Sequence, residues 1–231
     1  MSGLWESTER GRFGITKELE KQLSGAHDGK DTEMVAEHKK KPPGAGKSSF
    51  ELIDTEVIFR ELRISHDMTF LDLGCGTGAY SIEVAGRMKN QGMVHAIDLW
   101  EDGIAILRER IAGGGYTNVN AVVADLGNTI PIEDESVDTC LMATVLHDLV
   151  EIGAGDGALK EASRVLKTEA MLAIVEYKKI DGPPGPPKDI RLSPEDVERM
   201  VIPHGFIKRS FADLGPYHYL SVFTKAVRTP K

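Results

Sequence analysis

The chain has 231 residues, 41% of them hydrophobic, which suits one large α/β domain with a modest extension; 36 acidic against 28 basic residues leave a net charge of −8. That balance supplies no field to draw in nucleic acid, no apolar run approaches the length of a membrane span, and the opening Met1-Ser-Gly-Leu-Trp-Glu does not resemble a secretory signal. The expectation is a cytoplasmic protein acting on a small molecule, without membrane insertion.

Residues 1–48 are polar and weakly periodic, with Ile15 to Leu23 the one plausible short helix, and read as an N-terminal extension. Gly46-Lys47-Ser48 ends like a phosphate-binding loop, but the glycine required five positions before Gly46 is Lys41 and no strand precedes it. A solvated loop is the simpler reading, and a lid over a bound ligand the functional one. The domain proper is expected over 49–227. Ser48-x-x-Glu51 reads as a capping box, with Phe50, Ile53, Val57, Ile58 and Leu62 at helical spacing, so a first helix is expected from about Ser49 to Leu62.

The stretch that organises the chain is Thr69-Phe-Leu-Asp-Leu-Gly-Cys-Gly-Thr-Gly78. Phe70, Leu71 and Leu73 read as a buried strand, Gly74, Gly76 and Gly78 as a tight turn, and Ala79 onward as a helix with Ile82, Ala85 and Met88 on one face. Strand, glycine turn and helix make a nucleotide cradle, because the backbone must approach the ligand closely while the helix N-terminus offers free N–H donors. Gly74-x-Gly76-x-x-Ala79 fits the dinucleotide fingerprint weakly. A carboxylate at Asp72, facing the mouth of the loop, would repel a pyrophosphate and suit a ligand carrying an ammonium group. Asp-x-Gly-x-Gly-x-Gly resembles the first motif of class I S-adenosylmethionine-dependent methyltransferases.

Met93-Val-His-Ala-Ile-Asp98 reads as the second strand, and Asp98 falls 20 residues after Gly78. A carboxylate there takes both ribose hydroxyls of a nucleoside in either cofactor class, and N-capping the helix Glu101 to Ala112 is compatible with that. Leu99 and Trp100 follow as flanks of an adenine ring, although Trp100 suits an interface or core as well. The third strand, Val119 to Ala124, ends in Asp125-Leu126. An isolated aspartate at a strand end is commonly a turn former; in the methyltransferases it accepts the adenine amino group, and the next residue packs on the ring.

Ile130 to Asp138 leads into the apolar strand Thr139-Cys-Leu-Met-Ala143, again similar to the small-molecule methyltransferases of ubiquinone and menaquinone biosynthesis. Thr144-Val-Leu-His-Asp-Leu149 follows, placing His147 and Asp148 where an acceptor should arrive; His147 is the candidate base, and capping the next helix or bonding to Asp148 are equally consistent roles. Leu159, Ala162 and Leu166 mark a helix, and Ala170 to Tyr177 a strand ending in Glu176 and Tyr177 on the same mouth. Ile180 to Lys188 carries four prolines and reads as a stiff loop. Ser193 caps a helix ending around His204-Gly205, and Phe206 to Phe211 with Tyr217 to Lys225 read as a hairpin. Cys75 and Cys140 have no metal-ligand spacing and read as apolar filler.

The resemblance covers about residues 50 to 226. It implies a Rossmann-like doubly wound α/β fold with a seven-stranded sheet, mostly parallel with one antiparallel strand in a C-terminal hairpin. It further implies S-adenosyl-L-methionine as cofactor, a small-molecule methyl acceptor and no catalytic metal. The cofactor-binding set it implies is Asp72, Gly74, Gly76, Gly78, Asp98, Leu99, Trp100, Asp125, Leu126 and Ala143, with His147 catalytic. The alternatives are an NAD-dependent oxidoreductase, and a non-catalytic S-adenosylmethionine-binding sensor or assembly protein. The acceptor, the atom methylated and the oligomeric state are not readable from these motifs.

Overall fold

The computed structural model describes residues 41–42 and 44–227. The short helix expected over Ile15–Leu23 lies outside them.

Seven strands form one sheet in the order β3-β2-β1-β4-β5-β7-β6. They are β1 (Thr69–Leu73), β2 (Met93–Asp98), β3 (Val119–Val123), β4 (Val137–Ala143), β5 (Leu166–Tyr177), β6 (Phe206–Asp213) and β7 (His218–Lys225). All pairings from β3 to β5 are parallel, whereas β7 runs antiparallel to both β5 and β6. The sheet is therefore mostly parallel with one reversed strand in a C-terminal hairpin, as expected. The chain runs outward from β1 to β3 and then crosses back to β4 on the other side of β1, which opens a crevice above the carboxyl ends of these central strands, the usual seat of ligands in such sheets.

Successive strand residues point to opposite faces and feed two cores. Phe70, Leu141, Ala173 and Val175 meet α1 (Thr55–Leu62) and α2 (Ala79–Arg87) through Ile58, Phe59, Leu62, Val84 and Ala85. Leu71, Cys140, Met142, Leu172 and Ile174 meet α5 (Gly155–Val165) and α6 (Pro194–Val201) through Leu159, Ala162, Val165, Val197 and Val201. Between strands lie α3 (Glu101–Gly114), which buries Ile104 and Leu107 against Cys75 and Ala96, and the short α4 (Leu146–Glu151). Both cysteines are buried in apolar surroundings that push their thiols well above the usual range.

Two local expectations are corrected. The first helix begins at Thr55, with the Asp54 carboxylate accepting from the Glu56 N–H at 3.0 Å, and Phe50–Leu52 forms a separate 3₁₀ turn. Ser48 Oγ accepts from the Phe50 N–H, two residues on, so the Ser48/Glu51 box does not form; an aspartate nearer the periodic residues wins the cap. Leu166 belongs to β5 rather than to the preceding helix, held extended by pairing with Val137 and by buried Lys225 Nζ, which donates to its carbonyl at 2.6 Å. The register with β4 then shifts before Thr139 meets Met171. The Ser193/Asp196 capping box of α6 forms as read.

Candidate active site

The glycine turn after β1 is anchored to β2: the N–H groups of Gly74 and Cys75 both donate to the Ile97 carbonyl, at 2.8 and 3.1 Å. Gly78 has φ of +75°, and a Cβ there would strike the Leu107 side chain, so this glycine lets α3 pack against the turn. Gly76 has φ of +55° and faces open space, so its surface is available to a ligand rather than to the core.

Asp98 closes the turn from the neighbouring strand. Its Oδ2 accepts from the Gly76 N–H at 2.7 Å and its Oδ1 from the Trp100 N–H at 2.8 Å, while burial pulls its pKa above the ordinary carboxylate value against those bonds. Each oxygen keeps a lone pair for a ligand hydroxyl. Asp98, Leu99, Asp125, Leu126 and Ala143 line one cleft with Gly74 and Gly76. Asp125 is exposed and also builds a turn, accepting from the Gly127 N–H at 2.9 Å and the Asn128 side chain at 2.7 Å. Its ordinary turn-forming role and its place on the cleft coexist.

Three expected members of the set stand elsewhere. Asp72 does not face the mouth: it is fully buried beneath the turn, where it accepts from Ser81 Oγ of α2 at 2.5 Å. Burial, opposed by that bond and reinforced by the Asp98 charge, pushes its pKa up to about 7. Gly78 is covered by Leu107, and Trp100, not among the residues lining the cleft, lies under Lys41, whose Nζ is 5.0 Å from the ring centre. Asp72 shares the strand face of Phe70, which packs under α1 and α2, so its side chain points inward beneath the turn.

From above, Pro42 and Gly44–Lys47 complete the cleft, with two turn bonds, Ala45 N–H to Pro42 and Lys47 N–H to Gly44, shaping the segment. Buried Ser49 then ties it down, its hydroxyl 2.9 Å from that of Tyr80. Beyond β4 the cleft adjoins a second cavity, and Gly44, Lys47, Thr144 and Asp148 line both. Thr144 adopts φ of +53°, a costly conformation for a β-branched residue, at this junction. The second cavity is otherwise walled by His147, Glu151, Tyr177 and the Gly185–Pro187 loop.

His147 is 4% exposed on α4, its Nδ1 lying 2.7 Å from Glu176 Oε2 and its Nε2 3.5 Å from Asp148 Oδ1. Burial opposes the imidazolium, yet the Glu176 hydrogen bond and the charges of Glu176, Asp148 and Glu151 outweigh it and raise the pKa above the ordinary histidine value. Tyr177 meets the imidazole edge-on at 5.7 Å. The proline loop is held by Arg191, 1% exposed, which donates to the carbonyls of Lys178, Gly182, Pro184 and Pro186. Neither Thr144 nor Arg191 carried a signal in the sequence, since a strained φ and a carbonyl clamp have no residue signature; the terminal acid Glu176 did.

A family model described as a methyltransferase domain matches residues 64–202, which span the glycine turn, Asp98, Asp125, His147 and the proline loop. The chain belongs to that methyltransferase family. It is 30% identical over 131 residues to an uncharacterized methyltransferase-like protein of Schizosaccharomyces pombe, covering 57% of this chain and 46% of that protein. It is 27% identical over 119 residues to the ubiquinone/menaquinone biosynthesis C-methyltransferase UbiE of Geotalea daltonii, covering 51% and 49%. The chain thus spans about half the length of these curated relatives. A solved SAM-dependent methyltransferase from Aquifex aeolicus superposes with a TM-score of 0.71 at 27% identity, over 87% of this chain and all of that one. The [4+2]-cyclase SpnF superposes with a TM-score of 0.64 at 18% identity, over 78% of this chain and 82% of that one, a likeness of fold alone. Family and class I fold therefore stand as the motifs implied. Among the described residues of this methyltransferase, no helix is long and apolar enough to cross a membrane.

Proposed function

We propose that the protein transfers a methyl group from S-adenosylmethionine to a small-molecule acceptor by in-line displacement. The observation that carries this reading is the junction of the two clefts: the wall bearing Gly76, Asp98 and Asp125 meets, across Thr144 and Asp148, the cavity bearing His147. Asp98 would hold the ribose hydroxyls, Leu99, Asp125 and Leu126 the adenine, and the turn with Lys47 above it the amino-acid end. When bound, the cofactor supplies an activated sulfonium methyl, whose bond to sulfur breaks with its electron pair left on sulfur as the acceptor bond forms. The chain's own tasks are to hold the acceptor in line within about 3 to 3.5 Å of that carbon and to keep water out. Gly44 and Lys47, which line both clefts, suit the second task. His147 takes a proton where the acceptor must lose one.

Calorimetric titration with S-adenosylhomocysteine and, in parallel, with NAD tests the assignment. Binding of S-adenosylhomocysteine alone, weakened about 100-fold in Asp98→Ala as two charge-assisted bonds are lost, is the expected result. Binding of NAD alone overturns the reading, and an unchanged affinity in Asp98→Ala removes the ribose role. With an acceptor found by screening phenols, quinols and related small molecules, His147→Ala should slow turnover without weakening cofactor binding.

A further inference from the structure

Glu176 is the last acid of β5, has no exposed surface, accepts from the His147 backbone N–H at 3.1 Å on Oε1 and the Tyr177 backbone N–H at 3.3 Å on Oε2, and places Oε2 2.7 Å from His147 Nδ1. A carboxylate in that position is expensive to desolvate, and a leucine or methionine would fill the space at less cost. Its value must lie in what it does to its partner. Because both oxygens act as acceptors, the imidazole nitrogen facing them must be a donor, so the neutral ring carries its hydrogen on Nδ1 and leaves Nε2 bare. Nε2 lies on the far edge of the ring, 3.5 Å from Asp148 Oδ1, and His147 and Asp148 border the cavity beside the cofactor cleft together.

We propose that Glu176 is a positioning residue that locks His147 in the Nδ1–H tautomer, so that Nε2 receives the proton of an acceptor whose hydroxyl or acidified carbon must be deprotonated. This rests on the methyl-transfer reading above. The acceptor's bond to hydrogen breaks, its electron pair stays behind as the nucleophile, and the proton passes to Nε2; Asp148 stabilises the imidazolium until the proton leaves to water. Groups facing the ring are Glu176, Asp148, Glu151 and the Tyr177 phenol, with Lys47 acting on Asp148. They are mainly acidic and favour the proton's arrival, whereas burial disfavours it. The same contacts exclude a merely space-filling role for Glu176, because its geometry selects one nitrogen.

The test is nitrogen-15 NMR of the full chain labelled in histidine, titrated with pH in the presence of S-adenosylhomocysteine, for wild type and Glu176→Gln. Wild type should show the Nδ1–H tautomer in its neutral form. In Glu176→Gln the amide oxygen can keep the His147 backbone N–H while its NH₂ donates to Nδ1. The ring hydrogen should then move to Nε2, and the apparent pKa should fall by about one unit or more. Affinity for S-adenosylhomocysteine by calorimetry should stay within about threefold, since Glu176 does not line the cofactor cleft. A wild-type ring protonated on Nε2 overturns the proposal whether or not the variant folds, and so does a variant with unchanged tautomer and pKa. Failure of wild type to bind S-adenosylhomocysteine would instead overturn the methyl-transfer reading.

Discussion

The two sides of the junction are built by different means. On the side proposed for the cofactor, backbone carries the work: N–H groups of a glycine turn, an aspartate that completes that turn, and a second aspartate that closes an Asx turn. All of it comes from consecutive strand ends between β1 and β3. On the side proposed for the acceptor, side chains carry the work, and they converge from four separated segments: Gly44–Lys47, Thr144–Glu151, Glu176–Tyr177 and the loop around Gly185–Arg191. A ligand of fixed shape can be met by a standard turn, whereas a variable acceptor is met by whatever the loops bring. The cofactor side should therefore fail through backbone changes and the acceptor side through side-chain changes.

The largest test lies within the glycine turn. Gly78→Val adds a β-branched residue at positive φ against Leu107, and strain plus overpacking should cost about 5 kcal/mol, enough to unfold many domains. Gly76→Ala meets nothing within 4 Å and should cost only about 1 kcal/mol of strain. Its methyl group stands in the cradle, so S-adenosylhomocysteine affinity should drop at least about tenfold. Urea unfolding and calorimetry on both variants separate packing from contact. Equal stability losses would erase the distinction drawn between these glycines.

Asp72 supplies a pH-dependent version of the same contrast. Its folded pKa of about 7 stands above the ordinary 3.8, so its contribution is fully present below about pH 4 and is lost as pH rises through 7. The shift corresponds to at most about 4 kcal/mol. Asp72→Asn keeps an acceptor for Ser81 and cannot ionise. Between pH 4 and 8 wild type should lose stability relative to this variant in urea unfolding; a difference flat with pH would mean the carboxylate is already ionised in the fold.

Much of the cofactor side was legible in the sequence, because strand, glycine turn, helix and terminal acids follow one another at fixed intervals. The strand-end positions of Asp98 and Asp125 and the turn position of Gly76 followed from spacing; their roles toward a cofactor came from the family resemblance. Asp72 was assigned to the right strand but lies beneath the turn rather than at its mouth, since spacing along a strand says less about a turn's interior than about its ends. On the acceptor side His147 was visible as a polar residue after an apolar strand, but its bond to Glu176 links α4 to the end of β5. No pattern of period 2 or 3.6 encodes a contact of that range. Ser48 and Glu51 had the spacing of a cap and lost it to Asp54, a competition decided by where the helix packs.

Arg191 measures how much of the acceptor side depends on one side chain. Arg191→Met keeps the buried stem and strips the donors from three carbonyls of the proline loop and from that of Lys178 before it. The loss should be about 2 kcal/mol, softened by water reaching the exposed carbonyls. Proteolysis within Asp181–Lys188 should speed up, while S-adenosylhomocysteine affinity stays within about threefold. If cofactor affinity falls together with loop integrity, the two sides are one cooperative unit and the comparison breaks.

The smallest expected effect is at Tyr177, and it discriminates most finely. Its ring packs against the His147 edge, His218 at 4.4 Å and the Arg191 guanidinium at 5.5 Å, all through the aromatic face or rim. Burial and then the Glu176 charge push its phenol above the ordinary value, the wrong direction for a base near neutral pH. Tyr177→Phe retains every one of those ring contacts and removes only the hydroxyl. Stability should shift by less than about 0.5 kcal/mol, and turnover of an identified acceptor should stay within about threefold. A loss of about 100-fold with unchanged S-adenosylhomocysteine affinity would transfer the proton-accepting role from His147 to the phenol. The raised pKa would then require a hydroxyl acidified only when the acceptor is bound.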